Sequence, residues 1–394
     1  MRGLLCLLAC VALAAAAPPR SPVVNGPGFD HFYNLEYDAA IAEFARDAAL
    51  NPQSPDARNH LAMAVLYRAM LRSGALESEL VTGNNPFVRR QKVEASLEDR
   101  QEFETSVESA ISLAEARLKA DPKDVNATYA LGVAYGLRAN YKFLVRKAWR
   151  DALKDATTAR KHHNRVTELN PSFIDAKLIQ GLHDFVVGSL PWGWKMLGFL
   201  IGFRGDKEKG IQTLELVASQ GGLNRVDAEI LLCAVYRRER QTQRAIPLLE
   251  DLIRRFPRNY LLPMELAQMF SDLGDKDKAL AALDHLERQI RLGRIPRDRV
   301  RPERISFARG NIQFWYGDLD DALVNLRRAA AAAEDLDLHT GVLAWMRLGQ
   351  VYDLRRERAA ARKAYERAIV FAPDSDAARE SRGYLAKAYE RDEG

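Results

Sequence analysis

The sequence predicts an all-α chain, a solenoid of stacked helix pairs, and three observations predict it. Small and apolar residues recur at a spacing of 34. Prolines fall where the second helix of each pair should end. Period-two alternation, the mark of a half-buried strand, is absent over any useful length. Composition agrees: of 394 residues, 47% are hydrophobic and 28% charged, and 58 Lys+Arg against 53 Asp+Glu give a formal net charge of +5. That balance belongs to a folded protein and excludes a disordered chain, a collagen-like repeat and a polytopic membrane protein.

The chain opens on a targeting pattern. Met1-Arg2 is a short positive start, Leu4 to Ala15 is apolar, and Ala14 to Ala17 supplies small residues for a peptidase pocket. Residues 1–17 thus read as a signal peptide, with cleavage after Ala16 favoured over a bond directly before Pro18, and 18–27 as a flexible linker. The competing reading is an uncleaved N-terminal helix. Export, to a periplasm or the outside, is the expected location. Cys6 and Cys10 lie inside the signal, leaving Cys233 alone, so stability must come from core burial and not from an internal disulfide. Leu7-Leu8-Ala9-Cys10 loosely matches a lipobox that would acylate Cys10, but the apolar core before it is very short.

The repeat is clearest from Gly341 to Asp374. Trp345, Leu348, Gly349 and Tyr352 stand on a first helix; Ala361, Tyr365 and Ala368 stand on a second, which Pro373 closes. Small residues let the two helices approach while the aromatics fill the space between them. A preceding copy carries Leu232, Cys233, Tyr236, Ala245, Leu249 and Pro257, repeated 34 residues on as Leu266, Ala267, Phe270, Ala279 and Leu283. Weaker copies hold Gly28, Ala40, Phe44 and Pro52; Ala57 to Pro122, interrupted near Gly83; Leu131, Gly132, Tyr135, Ala159 and Pro171; and Gly310, Ala322, Leu326 and Ala329. These residues and spacings resemble the tetratricopeptide repeat family. The resemblance implies a right-handed superhelical solenoid of helix-turn-helix pairs over 28–375, with insertions near 81–100, 185–206 and 288–304. A solvating cap helix, Asp376 to Glu390, and a tail complete 376–394.

Two insertions stand out. Phe185 to Phe203 is nearly uncharged and glycine-studded, with Trp192, Trp194, Lys195 and Phe199. It reads as a short apolar hairpin packed on the solenoid, as a membrane-surface element using those four residues, or as a marginal transmembrane helix. Leu190-Pro191, Lys195-Met196-Leu197, Gly202-Phe203, Gly205-Asp206-Lys207 and Gly210 look like the central motif of the tetratricopeptide repeat protein 39 family, which includes an inclusion-body clearance protein. Over Phe185 to Tyr236 that resemblance implies a helical-repeat protein linked to membranes or lipid bodies. The second insertion is arginine-rich: Arg288, Arg291, Arg294, Arg297, Arg299, Arg301 and Arg304 are offset only by Glu287, Asp298 and Glu303. It is expected to protrude as a solvated basic loop, with an anionic lipid or acidic protein as the alternative; nucleic acid is not an expected partner of an exported protein.

No enzyme constellation, cofactor motif or metal signature is found. His162 and His163 point about 100° apart on a helix, which does not suit one metal. Function is therefore sought on a surface. The resemblance implies that first helices line a concave face, and its second, fifth, ninth and twelfth positions fall on Tyr129, Val133, Ile230, Ala234, Arg237, Met264, Gln268, Phe307, Asn311, Phe314, Met346 and Gln350. This mixture of apolar anchors and amides suits an extended or helical peptide, although the same periodicity also describes packing between repeats. Phe307 stands where the carboxylate clamp of chaperone-binding members needs lysine, so chaperone tails are not expected. The chain reads as a non-enzymatic exported scaffold for a polypeptide, in one setting an envelope assembly. The alternative is a peripheral membrane protein using 185–203. Oligomeric state stays open.

Overall fold

The X-Pro steps act as backbone chemistry requires, because the residue before proline leaves the α region and proline offers no amide to the helix. In the computed structural model, second helices stop at Leu50, Ala120, Leu169, Arg255 and Phe371, each one residue before such a step. The structure describes residues 26–76, 93–189 and 205–391. Among these it holds seventeen α-helices, two 3-10 turns and no strand.

The helices stack in order as pairs: α1 (Pro27–Tyr33) with α2 (Tyr37–Leu50), α3 (Pro55–Arg72) with α4 (Leu97–Ala120), α5 (Val125–Leu144) with α6 (Trp149–Leu169), and α7 (Lys177–Gly188) with α8 (Lys207–Gln220). Then come α9 (Arg225–Arg238) with α10 (Thr242–Arg255), α11 (Leu261–Asp272) with α12 (Lys276–Arg291), α13 (Pro302–Tyr316) with α14 (Leu319–Ala331), and α15 (Leu338–Leu354) with α16 (Arg358–Phe371). A last helix, α17 (Asp376–Ala386), covers α16. Ser54, Ser96, Asp124, Asp206, Asp275, Asp337 and Ser375 each accept the amide three residues on, so seven helices begin with a side-chain cap.

Close approach within a pair depends on a missing side chain. A Cβ on Gly349 would sit 2.4 Å from the ring of Tyr365, which is wholly buried and donates its hydroxyl to Asp353 at 2.8 Å. Between α7 and α8 the contact is backbone to backbone: a Cβ on Gly210 would lie 2.4 Å from the Phe185 amide nitrogen. A Cβ on Gly188 would lie 2.4 Å from the Lys207 amide nitrogen, and one on Gly205 2.7 Å from that of Gly188.

The stack also coils back on itself. The turn between α1 and α2, with Leu35 at φ 62°, meets the α10–α11 connection more than 220 residues later. Asn34 accepts the Arg258 amide at 2.9 Å, Asn259 donates to the Tyr33 carbonyl at 2.7 Å, and Tyr33 packs on Phe256 with ring centroids 5.1 Å apart. Glu36 receives Arg258 at 3.0 Å, Arg299 at 3.0 Å, and His31.

Two expectations need correction. The arginine-rich insertion does not simply protrude. Ile295 and Val300 are each 1% exposed and join the core around Tyr260, Arg299 turns in to Glu36, and Arg304 is buried on α13 with its guanidinium 3.3 Å from Asp337. Only Arg288, Arg291, Arg294, Arg297 and Arg301 face solvent. The cap helix ends at Ala386, not Glu390, because Tyr389 must leave the helix for its amide to reach Asp353 at 2.8 Å and its ring to pack on Phe314 and Tyr384.

Candidate functional site

The expected groove residues divide by accessibility. Tyr129, Asn311, Phe314, Met346 and Gln350 are buried, Phe314 completely. Their side chains hold the solenoid together and present almost no surface to a partner. Tyr129 stands edge-on to His163 and accepts from Asn224 at 2.8 Å. Phe314 lies under the guanidinium of Arg347, 4.4 Å from its centroid. Gln350 accepts from Arg347 at 2.7 Å. Arg237 is spent in joining α9 to α11, with Nε 2.8 Å from Asp272. Val133 is half-buried against the first core.

The remainder forms a row on three successive first helices. Ile230, 39% exposed, and half-buried Ala234 lie on α9; Met264 and Gln268, both half-buried, lie on α11; half-buried Phe307 lies on α13. Trp315, 53% exposed, adds a further apolar side chain near the end of α13, with Arg347 over its ring at 4.7 Å. The sequence reading passed over Trp315, although it directly follows the twelfth position of its copy. Exposed tryptophan with an arginine beside it is the composition of docking hot spots.

Asp227 and Arg304 each occupy the second position of their own copy; the sequence reading leaves out Asp227 and assigns Arg304 to the protruding basic stretch. Asp227 takes the Tyr33 hydroxyl at 3.3 Å; burial, only partly offset by that hydrogen bond, pushes its carboxyl up to about 6. Burial likewise raises Asp56 to about 6 and outweighs the nearby Arg117. Burial lowers the Arg304 guanidinium. Asp227 thus ties α9 to the first pair, whereas Arg304 ties α13 to Asp337 at the start of α15.

Among the described residues, no group of three or more His, Cys, Asp or Glu is placed to hold a metal, and no helix is long and apolar enough to cross a membrane. His163 is buried and its imidazole is pushed down to about 4 by desolvation; His162 stacks on Tyr135. Cys233 is buried and burial raises its thiol, the opposite of a reactive cysteine. Trp192, Trp194, Lys195 and Phe199 lie outside the described residues, as does the signal pattern of residues 1–17.

Stacked antiparallel helix pairs define a helical-repeat protein. Residues 235–290 match the family model for the tetratricopeptide repeat, so that stretch carries the repeat in sequence as well as in fold. No curated protein matches the sequence. Solved structures with related architecture include yeast Tom70, at 12% identity over 91% of this chain and 86% of that one, with a TM-score of 0.42. The human IFIT1 dimer with m7Gppp-AAAA matches at 14% identity over 93% and 84%, with a TM-score of 0.46. YrrB, described as a TPR protein with an unusual peptide-binding site, matches at 15% over 68% and 97%, with a TM-score of 0.29. The resemblance of Phe185–Tyr236 to the tetratricopeptide repeat protein 39 family has no counterpart among these matches.

Proposed function

We propose that the chain is a non-enzymatic scaffold that holds a polypeptide segment along the first helices of its later repeats. The supporting observation is the set Ile230, Ala234, Met264, Gln268, Phe307 and Trp315, which keeps exposed or half-exposed surface on three first helices, whereas Tyr129, Asn311, Phe314, Met346 and Gln350 are buried. Apolar anchors at helical intervals with the amide of Gln268 among them fit a peptide that contributes alternating side chains and backbone hydrogen bonds. We place this function outside the cytoplasm, in assembly of envelope complexes. That location rests on the signal pattern of residues 1–17 alone.

A photo-crosslinking side chain introduced in turn at Ile230, Gln268 and Val324 tests this. Val324 is 69% exposed on α14, a second helix, and serves as the control. The expected result is one polypeptide captured from positions 230 and 268 but not 324, and lost in the Ile230→Arg, Gln268→Arg variant with unchanged melting. Equal capture from 324, or capture surviving the double substitution, would place the partner elsewhere.

A further inference from the structure

We propose that the turn joining α12 to α13 is a contact site for an anionic phospholipid surface. It is separate from the peptide row and stands whether or not that row binds a partner.

The chemistry is concentrated in a short span. Arg288 and Arg291 end α12, Gly293 at φ 70° reverses the chain, and Arg294, Arg297 and Arg301 follow, all exposed. Asp298 is the one exposed acid between Arg288 and Arg301. Leu292, 65% exposed, stands between Arg291 and the reversal, flanked by guanidinium groups. Two of these arginines make loose ion pairs at the surface, Arg291 3.9 Å from Glu287 and Arg301 3.8 Å from Asp335, while Arg294 donates to Gln289 at 3.1 Å. Pairs this exposed are weak and exchange readily for another anion.

The turn is also fixed in place. Ile295 and Val300 are sunk in the core and Arg299 is tied to Glu36 on the first pair, so the outward arginines sit on a rigid base. Guanidinium groups bind phosphate oxygens in a bidentate fashion. A single apolar side chain among cations suits the boundary between headgroups and acyl chains. A folded acidic partner would call for a shaped apolar centre, whereas one leucine with five spread arginines fits a fluid surface that adapts to it. Attraction of this kind is reversible and falls with salt.

Flotation of the full chain with vesicles rich in phosphatidylglycerol, and with neutral phosphatidylcholine vesicles, tests the assignment. Binding is expected to anionic vesicles only and to disappear at high salt. Each arginine near such a surface changes partitioning about fivefold, so Arg288→Gln with Arg294→Gln should weaken binding on the order of 25-fold. Leu292→Ser should weaken it several-fold, with melting unchanged in both variants. Absence of binding to anionic vesicles overturns the proposal. So does binding that the arginine substitutions leave intact, which would move the contact elsewhere, for instance to 185–203. Binding that soluble polyglutamate abolishes and Leu292→Ser does not alter overturns it in favour of an acidic polypeptide.

Discussion

Buried histidine couples this fold to pH at the scale of single residues. His60 and His163 are both pushed down to about 4 by burial, against an ordinary value near 6.5 in the unfolded chain. The unfolded chain therefore takes up the proton first as pH falls. Their contribution is fully present above about 6.5 and is lost progressively toward about 4. Asp56 and Asp227, raised to about 6 by burial, act in the opposite sense: the folded chain binds the proton first and gains stability as pH falls through 6. The two effects overlap, so a variant separates them. His163→Gln is expected to flatten the loss between pH 6.5 and 4 in a series of urea midpoints. An unchanged slope would mean that His163 is not protonated on unfolding. The sequence disclosed the helical position of His163 but not its burial, which depends on Gly132 letting α6 approach α5: a Cβ there would lie 2.9 Å from the imidazole.

At the scale of an element, the helix pair is set by the glycine beneath an aromatic ring. Gly349 under Tyr365 and Gly28 under Phe44 are the same device at opposite ends of the chain. Gly349→Ala introduces a methyl where Tyr365 has no room to move, since Asp353 holds its hydroxyl and Tyr384 packs against its ring. Overpacking of this kind costs about 1–3 kcal/mol. A denaturant titration should show that loss, whereas less than about 0.5 kcal/mol would mean that the pair relaxes easily. These contacts were legible in advance because residue size recurs at a fixed spacing. The end of α17 was not, because Tyr389 leaves the helix for contacts with Phe314 and Asp353 that lie far away in sequence.

At the scale of the whole molecule, closure distinguishes this solenoid from an open array, in which each repeat touches only its neighbours. Burial raises the Glu36 carboxyl, but hydrogen bonds from Arg258 and His31 and the charge of Arg299 outweigh it and hold it below the usual range. Its contribution is therefore present at neutral pH and lost as pH falls through that lowered value. Glu36→Gln removes the charge on which Arg258 and Arg299 converge and is expected to cost about 1–3 kcal/mol, the scale of hydrogen bonds to a charged group. The measurement that isolates closure is energy transfer between dyes at Leu50 and Arg254, both exposed. Transfer should fall in the variant while helix content holds, and unchanged transfer would mean that the other contacts of the turn are sufficient.

The sequence by itself determined the helix pairs, their ends at X-Pro steps and their small-residue contacts, because these depend on backbone chemistry and on neighbours within one period. Only the tertiary structure decided which first-helix positions remain open to a partner. Tyr129, Asn311, Met346 and Gln350 share a register with Ile230 and Gln268, yet the first four are buried and the last two are not. The physical reason is that a groove position is covered by whatever arrives from elsewhere in the chain: Asn224 at Tyr129, and Tyr389 and Arg391 at Phe314. Periodicity carries no record of contacts made across such distances.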